Sequence, residues 1–458
     1  MTGARELSGG LDAILHARSV AVVGASASPD KVGHFLLANI INGGYEGRVY
    51  PINPKASEIL GLRVYPALSN VPEPVDLAVI AIPAILVPAT LREAVAVGVR
   101  GAVVISGGFR EAGHADLEAE VASIVRASGL RLIGPNCQGI NYRPNKLCAT
   151  WPLLTASGPF AVVSQSGTVA AAMAGWAVEE GLGISATVSL GNQVDLSETD
   201  MLDFFANDPA TRAVAFYLEG VQDGRRFIQV LRRVAPQKPV LILKSGCTSG
   251  GQRAAASHTK SLAGRDEVFG AVCRQFGAVR VPDLQSLYDD SKALGLMSPP
   301  RGNRLLVVTS SGGSGILAVD EAERHGLEVP ALSSALIADL QAADVPATSV
   351  LANPLDLTMC TAANYDAALS AVIRHDVADA YLVIFGDPIP GAAEVVKRLR
   401  ARTQAGVAVA FLGGGEVERA ELPLMHAAGV PVFPTPERAV RAIASAVWWS
   451  TRFPRNGA

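Results

Sequence analysis

Cysteine is scarce and unpatterned in this sequence. Five thiols (Cys137, Cys148, Cys247, Cys273 and Cys360) are scattered over 458 residues without a CxxC pair. That argues against a disulfide scaffold, gives no sign of a metal cage, and fits reduced thiols of the cytosol. Long apolar runs are also lacking. No segment approaches the ~20 residues of a membrane span, and the N-terminal "MTGARELSGGLDAILHARS" has no apolar stretch followed by a cleavage site. The expectation is a cytoplasmic protein with no membrane partner. An excess of one charge is missing too: charged residues are 18% and the net charge is −3, which gives no electrostatic reason for a nucleic-acid partner. Neither the phosphate loop GxxxxGK[ST] nor a complete GxGxxG occurs. A nucleotide site of the first kind and a plain NAD-dependent oxidoreductase are therefore disfavoured.

What is present is a repeated strand-and-helix pattern. Apolar residues make up 49% of the chain, enough for about three cores of roughly 150 residues each. Short β-branched runs recur, each followed by an Ala-rich amphipathic stretch, which predicts βα units feeding parallel sheets. The first series holds "SVAVVGA" (19–25), "RVYPINP" (48–54), "LAVIAIP" (77–83), "GAVVISGG" (101–108) and "RLIGP" (131–135). The second holds "FAVVSQSG" (160–167), "ISATVSLG" (184–191), "AVAFYLEG" (213–220) and "PVLILKSG" (239–246). After a linker at "MSPPRGN", the third holds "RLLVVTSSGG" (304–313), "AYLVIFGD" (380–387), "VAVAFLGGG" (407–415) and "VPVF" (430–433). The expected domains are 1–147, 148–298 and 299–458, the last closing on a helix where Trp448 and Trp449 pack.

Each series opens on a glycine- and serine-rich turn between strand and helix: "VVGASASPDKVG", "VVSQSGTVAAA" and "VTSSGGSGILA". Such a turn presents unsatisfied N–H groups and about half a positive charge of helix dipole to an anion. One alone is often only a cap; three in succession point to phosphate chemistry. The second strand ends in "PINPK", without the carboxylate that would meet the ribose of NAD. Lys55 there favours a phosphorylated ligand.

Of seven histidines, His16, His34, His114, His325, His375 and His426 read as solvated or capping groups. His258 differs, lying in the small-residue stretch "AAASHTKSLAG" just beyond a strand, where a loop is expected. An imidazole nucleophile needs one nitrogen free and a partner on the other. Glu219, at the end of "AVAFYLEG", reaches the same sheet edge if the two strands pair in parallel. The alternative is a glutamate that caps the next helix and a histidine that fills a loop.

Taken together, "GASASPDKVG", "YPINPK", "VDLAVIAIP", "GGFREAG", "GPNCQG", "SQSG", "SLGNQVD", "YLEG", "KSG…AAASHTKSLAG" and "NPLDL" resemble the nucleoside-diphosphate-forming acyl-CoA synthetases, relatives of succinyl-CoA synthetase. The resemblance implies the α-subunit architecture, a Rossmann-like CoA-binding domain followed by two flavodoxin-like ligase domains. It also implies an acid–thiol ligase that converts carboxylate, CoA and ATP into acyl-CoA, ADP and phosphate. His258 would be the phosphorylated histidine and Glu219 its orienting carboxylate. Ser164, Ser166 and Gly167 would hold the phosphoryl group, and Gly312, Gly313 and Ser314 would form the turn of an opposing helix. CoA would meet Gly24, Ser26, Asn53, Lys55, Pro83, Ser106 and Gly107, with Asn136 close to the thioester. No metal is expected on this chain; ATP or ADP with Mg²⁺ would sit on an ATP-grasp β subunit, in an α2β2-type hetero-oligomer. A small carboxylic acid or acyl-CoA and phosphate complete the expected partners. Two positions depart from the family pattern: Lys260 replaces a glycine and Cys247 an arginine. Lys260, together with the lack of a nucleotide module in this sequence, leaves a catalytically silent CoA- or acyl-CoA-binding regulatory module as the alternative.

Overall fold

The computed structural model describes residues 10–259 and 265–454, and of 255–259 the backbone alone. The chain divides into two compact units, Met1–Glu179 with Gly183–Phe276, and Glu180–Leu182 with Gly277–Ala458. Three sheets carry the fold, as the βα periodicity predicts.

In the first sheet the strands stand in the order Arg48–Ile52, Ser19–Val23, Leu77–Ile80, Gly101–Val104, Arg131–Ile133, all parallel. Ser19–Val23 and Leu77–Ile80 are buried along their whole length, which is why these strands read as continuous apolar runs rather than alternating ones. The order is 2-1-3-4-5. It reverses between Ser19–Val23 and Leu77–Ile80, and ligands of doubly wound sheets collect outside the carboxyl ends at that point.

The second sheet repeats the plan. Val240–Lys244, Ala213–Leu218, Phe160–Ser164 and Ala186–Ser189 are neighbours in that order and parallel. The reversal here falls between Phe160–Ser164 and Ala213–Leu218. Beyond Ala186–Ser189 the sheet continues antiparallel with Ile140–Tyr142 and Leu147–Ala149, so the chain that leaves the first sheet is built into the edge of the second.

In the second unit the order is Leu355–Asp356, Leu305–Thr309, Ala380–Phe385, Gly406–Phe411, Val432–Phe433, again parallel and again 2-1-3-4-5. The helix Pro436–Arg452 buries Trp449 and leaves Trp448 at 38% exposure. His426 departs from the solvated role expected of it. It is buried, its Nε2 accepts from the Val432 N–H at 3.3 Å, and its Nδ1 lies 3.3 Å from the Glu180 carbonyl. Burial, with the Lys292 charge nearby, pushes its pKa down to about 3, so the neutral ring serves as a core hydrogen-bonding unit.

Candidate active site

The first sheet's reversal point is built for close approach of backbone. Gly24 follows the strand Ser19–Val23 at φ +90°. A Cβ there would lie 2.3 Å from the Ala81 carbonyl oxygen, and one at Gly33 would lie 1.9 Å from that of Gly24. The two glycines let the helix Val32–Asn42 start directly against the turn. Ser26 Oγ accepts from Ser28 N–H at 3.1 Å. Asn53 ties the neighbouring strand end to this turn, its Nδ2 donating to Ala25 O at 2.8 Å while its Oδ1 accepts from Lys55 N–H at 2.8 Å. Lys55 itself is exposed. Next to Pro83, Ser106 Oγ donates to Ile82 O at 2.5 Å and accepts from Ile82 N–H at 3.2 Å. Gly107 lies beside Asn136, whose Oδ1 would be 3.0 Å from a Cβ at that position. All eight residues expected to meet CoA therefore lie on loops at the carboxyl edge of this sheet, Gly24, Ser26 and Pro83 at its reversal point and the others after the neighbouring strands.

The second reversal point gathers the phosphoryl candidates. Ser164 is the last residue of its strand, and its hydroxyl clasps the residue two ahead: it accepts from Ser166 N–H at 3.1 Å and donates to Ser166 O at 2.6 Å. The helix Gly167–Glu179 starts immediately after. Ser164 pairs with Tyr217 and Leu218 with Lys244, so Glu219 emerges level with the serine turn, between it and the strand that leads to His258. The parallel neighbourhood expected of "AVAFYLEG" and "PVLILKSG" is present. Glu219 is nearly buried, at 9% exposure.

The expected loop around His258 is replaced by helix as far as Thr259: Ser249–Thr259 is α-helical. The cause is local, because the Ala254, Ala255 and Ala256 run is the strongest helix former available, and an alanine-rich segment needs a breaker to stay open. Lys260 and the rest of the stretch to Gly264 lie outside the described residues, as does the His258 side chain. Cys247, the second departure, is exposed and hydrogen-bonds to the Lys244 carbonyl at 2.8 Å.

Three residues that sequence reasoning passed over stand at the centre of this site. Gln165, between the two serines of "SQSG", accepts from the backbone N–H groups of Glu219 and, at 3.1 Å, Gly220, and donates to Gly220 O at 2.8 Å. Gln138, in "GPNCQG", lies against the start of the helix at Gly167, where a Cβ would be 2.7 Å from its Oε1. Asn192 donates to Glu111 and Glu118 at 2.6 and 2.7 Å and accepts from Asn136 Nδ2 at 3.2 Å. Their only sequence signal was membership of a quoted motif. The loop that carries Asn136 and Gln138 thus touches both the edge of the first sheet, at Gly107, and the helix start after the serine turn of the second, at Gly167.

The second unit contains a copy of the clasp. Thr309 Oγ1 accepts from Ser311 N–H at 2.9 Å and donates to Ser311 O at 3.0 Å. The helix Gly312–Arg324 follows, and Ser314 Oγ lies 3.0 Å from Ser311 Oγ. Gly312 faces the Asp356 carboxylate, which would be 2.7 Å from a Cβ there.

Comparison with known proteins agrees with this layout. A family model described as a CoA binding domain matches residues 18–143, and one described as a succinyl-CoA ligase like flavodoxin domain matches residues 157–294. The chain is 38% identical over 457 residues to the alpha subunit of acetate–CoA ligase (ADP-forming) I of Pyrococcus furiosus, covering 96% of this chain and 98% of that one. The chain belongs to the ADP-forming acetate–CoA ligase family. A second family member, the alpha subunit of the form II ligase of the same organism, is 32% identical over 93% of this chain and 95% of its own. Of the form I ligase of Archaeoglobus fulgidus, 37% identical, the chain spans 63% of the length. Among solved structures, the dinucleotide-forming acetyl-coenzyme A synthetase 1 of Candidatus Korarchaeum cryptofilum, in complex with phosphate and ADP, matches with a TM-score of 0.88 at 37% identity, covering 96% of this chain and 97% of that one. The family names given to the full-length matches, "subunit alpha", imply a partner subunit for those relatives.

Proposed function

We propose that the chain is the α subunit of an ADP-forming acyl-CoA synthetase working through a phosphohistidine at His258. The observation that carries this is the convergence at one reversal point of the clasped serine turn, the helix start at Gly167, the nearly buried Glu219 and the strand leading to the His258 helix. The γ-phosphoryl group of ATP, held with Mg²⁺ on an ATP-grasp partner, passes to a ring nitrogen of His258 as ADP leaves. Glu219 orients the imidazole and offsets the positive charge that forms on it. The phosphoryl group then moves to an oxygen of the carboxylic acid, freeing the histidine. The CoA thiol attacks the acyl phosphate, forming the thioester and releasing phosphate, which takes the thiol proton. Ser166, Gly167 and the N-terminal N–H groups of their helix suit the roughly two negative charges of the phosphohistidine. The tight turns at Gly24 and Gly33 fit a pyrophosphate approaching backbone. Gly312, Gly313 and Ser314 are the corresponding anion candidates of the second unit. In this proposal the helix through Thr259 must open for His258 to travel between the donor and the acyl site, and the subunits assemble in an α2β2 manner in the cytoplasm.

The test is phosphorylation of the chain by radiolabelled ATP in the presence of the partner. Acid-labile label is expected on the wild type and none on His258→Ala. Stable labelling of the variant sinks the proposal. Tight CoA binding by a wild-type chain that never takes up phosphate favours the regulatory alternative instead.

A further inference from the structure

The turn of "SLGNQVD" has one hand in each half of the candidate site. Its backbone is fixed independently: Asn192, Val194 and Leu196 donate to the carbonyls of Pro135, Gly134 and Leu132 at 2.8, 3.2 and 3.1 Å. Asp195 takes the Arg131 guanidinium at 2.9 and 3.2 Å. Gly191, at φ +58°, could not carry a Cβ, which would fall 2.2 Å from the Pro135 carbonyl oxygen. Gln193 sits at φ +56°, a conformation that residues with a side chain rarely adopt. With the main chain already pinned, neither side chain is needed to hold the turn, and both are used elsewhere.

They point opposite ways. Asn192 reaches the CoA edge, receiving the Asn136 amide at 3.2 Å and donating to Glu111 and Glu118. Glu111 in turn accepts from Gly108 and Phe109 N–H at 2.6 and 3.0 Å, which orders the loop that carries Ser106 and Gly107. Gln193 reaches the phosphoryl edge. Its Oε1 accepts from Gln165 Nε2 at 3.2 Å, its Nε2 donates to the buried Glu198 at 3.1 Å, and its carbonyl receives Gln222 at 3.0 Å. Gln165, held this way round, presents its carbonyl oxygen to the N–H groups of Glu219 and Gly220.

We propose that the turn Gly191–Gln193 is a positioning element shared by the two half-reactions: Asn192 sets the amide of Asn136 for the thioester, and Gln193, acting through Gln165, sets Glu219 for the histidine. The proposal rests on the function given above and deepens it.

The test uses the full chain with its ATP-grasp partner. Gln193→Gly removes the amide but tolerates the left-handed backbone; Asn192→Ala removes the other hand. Three readouts are followed: the rate of phosphorylation by ATP, the rate at which CoA and carboxylic acid discharge the phosphoenzyme, and hydrogen exchange of the Glu219 and Gly220 amides. Gln193→Gly is expected to slow phosphorylation about tenfold, the scale of a slightly misplaced catalytic group, and to speed exchange at Glu219 and Gly220, while discharge stays near wild type. Asn192→Ala is expected to give the opposite pattern, slow discharge with phosphorylation and exchange near wild type. Variants that match wild type in every readout, or that lose all three together with their melting temperature, overturn the proposal while the function stands. A wild-type chain that takes up no phosphoryl group overturns the function and this proposal with it.

Discussion

At the residue scale, glycines are required for two different reasons. Gly113 and Gly129 close helices at φ +95° and +72°, a backbone that favours glycine although a Cβ would meet open space, whereas Gly33 is held by contact, with the Gly24 carbonyl oxygen 1.9 Å from a would-be Cβ. Gly33→Ala must therefore push the helix Val32–Asn42 off the turn. Overpacking of this kind costs about 1–3 kcal/mol, so a lower melting temperature is expected. Because the displaced helix start is the candidate pyrophosphate site, a CoA dissociation constant raised about tenfold in calorimetry, equivalent to about 1.4 kcal/mol, is expected as well. Unchanged CoA affinity would show that the cofactor does not use this turn. Both glycines were visible in "GASASPDKVG", but their mutual contact was not, since eight residues of chain lie between them.

At the element scale, the clasp made by Ser164 recurs with Thr309 in the other unit, each from the last position of a first strand whose sequence reads "VVSQSG" or "VVTSSG". A hydroxyl in that place satisfies both the N–H and the carbonyl of the residue two ahead, and so fixes where the following helix begins. Ser164→Ala leaves both backbone groups without it, at about 1–3 kcal/mol for a buried polar group, and should weaken phosphoenzyme formation. Ser164→Thr, which keeps the hydroxyl as Thr309 does, should restore labelling to near the wild-type level. Equal losses in the two variants would assign the position to packing alone. The helix around His258 shows the limit of composition as a guide: small residues suggested an open loop, and alanine, the smallest residue with a Cβ, is also the best helix former.

At the scale of the whole molecule, two buried titratable groups of the second unit oppose each other in their effect on stability. Burial pushes the Asp290 carboxyl up from 3.8 to about 8, with Asp289 adding to the effect and the 2.6 Å hydrogen bond from Ser445 opposing it. Between these values the folded chain holds a proton that the unfolded chain has lost, so this group's contribution to stability falls as pH rises. His426 is pushed down from 6.5 to about 3, so between those values the unfolded chain holds the extra proton and stability falls as pH drops. The two contributions cancel between about pH 4 and 6.5. From 6.5 to 8 Asp290 acts without His426, with a limiting slope of about 1.4 kcal/mol per pH unit. Asp290→Asn removes it, so the stability difference between variant and wild type, measured by denaturant unfolding, should grow in the variant's favour across this window. A constant difference would mean that Asp290 is ionised in the folded protein.

The sequence by itself determined the class of the fold and the three strand-and-turn series, and it singled out the residues proposed to handle phosphate. Buried parallel strands must be continuously apolar, and the turns after them must be glycine and serine, so both leave a local trace. For Glu219 the sequence offered only a condition, that its strand pair in parallel with "PVLILKSG", and the structure meets that condition. Only the tertiary structure decided which polar side chains act on those turns. Gln165, Gln138, Asn192 and Gln193 are ordinary amides in sequence, and their roles exist only because strands far apart in the chain bring them within hydrogen-bonding distance. Burial likewise made His426 a neutral core group and Asp290 a proton holder. Desolvation depends on what surrounds a residue in space, and no property of its neighbours along the chain reports that.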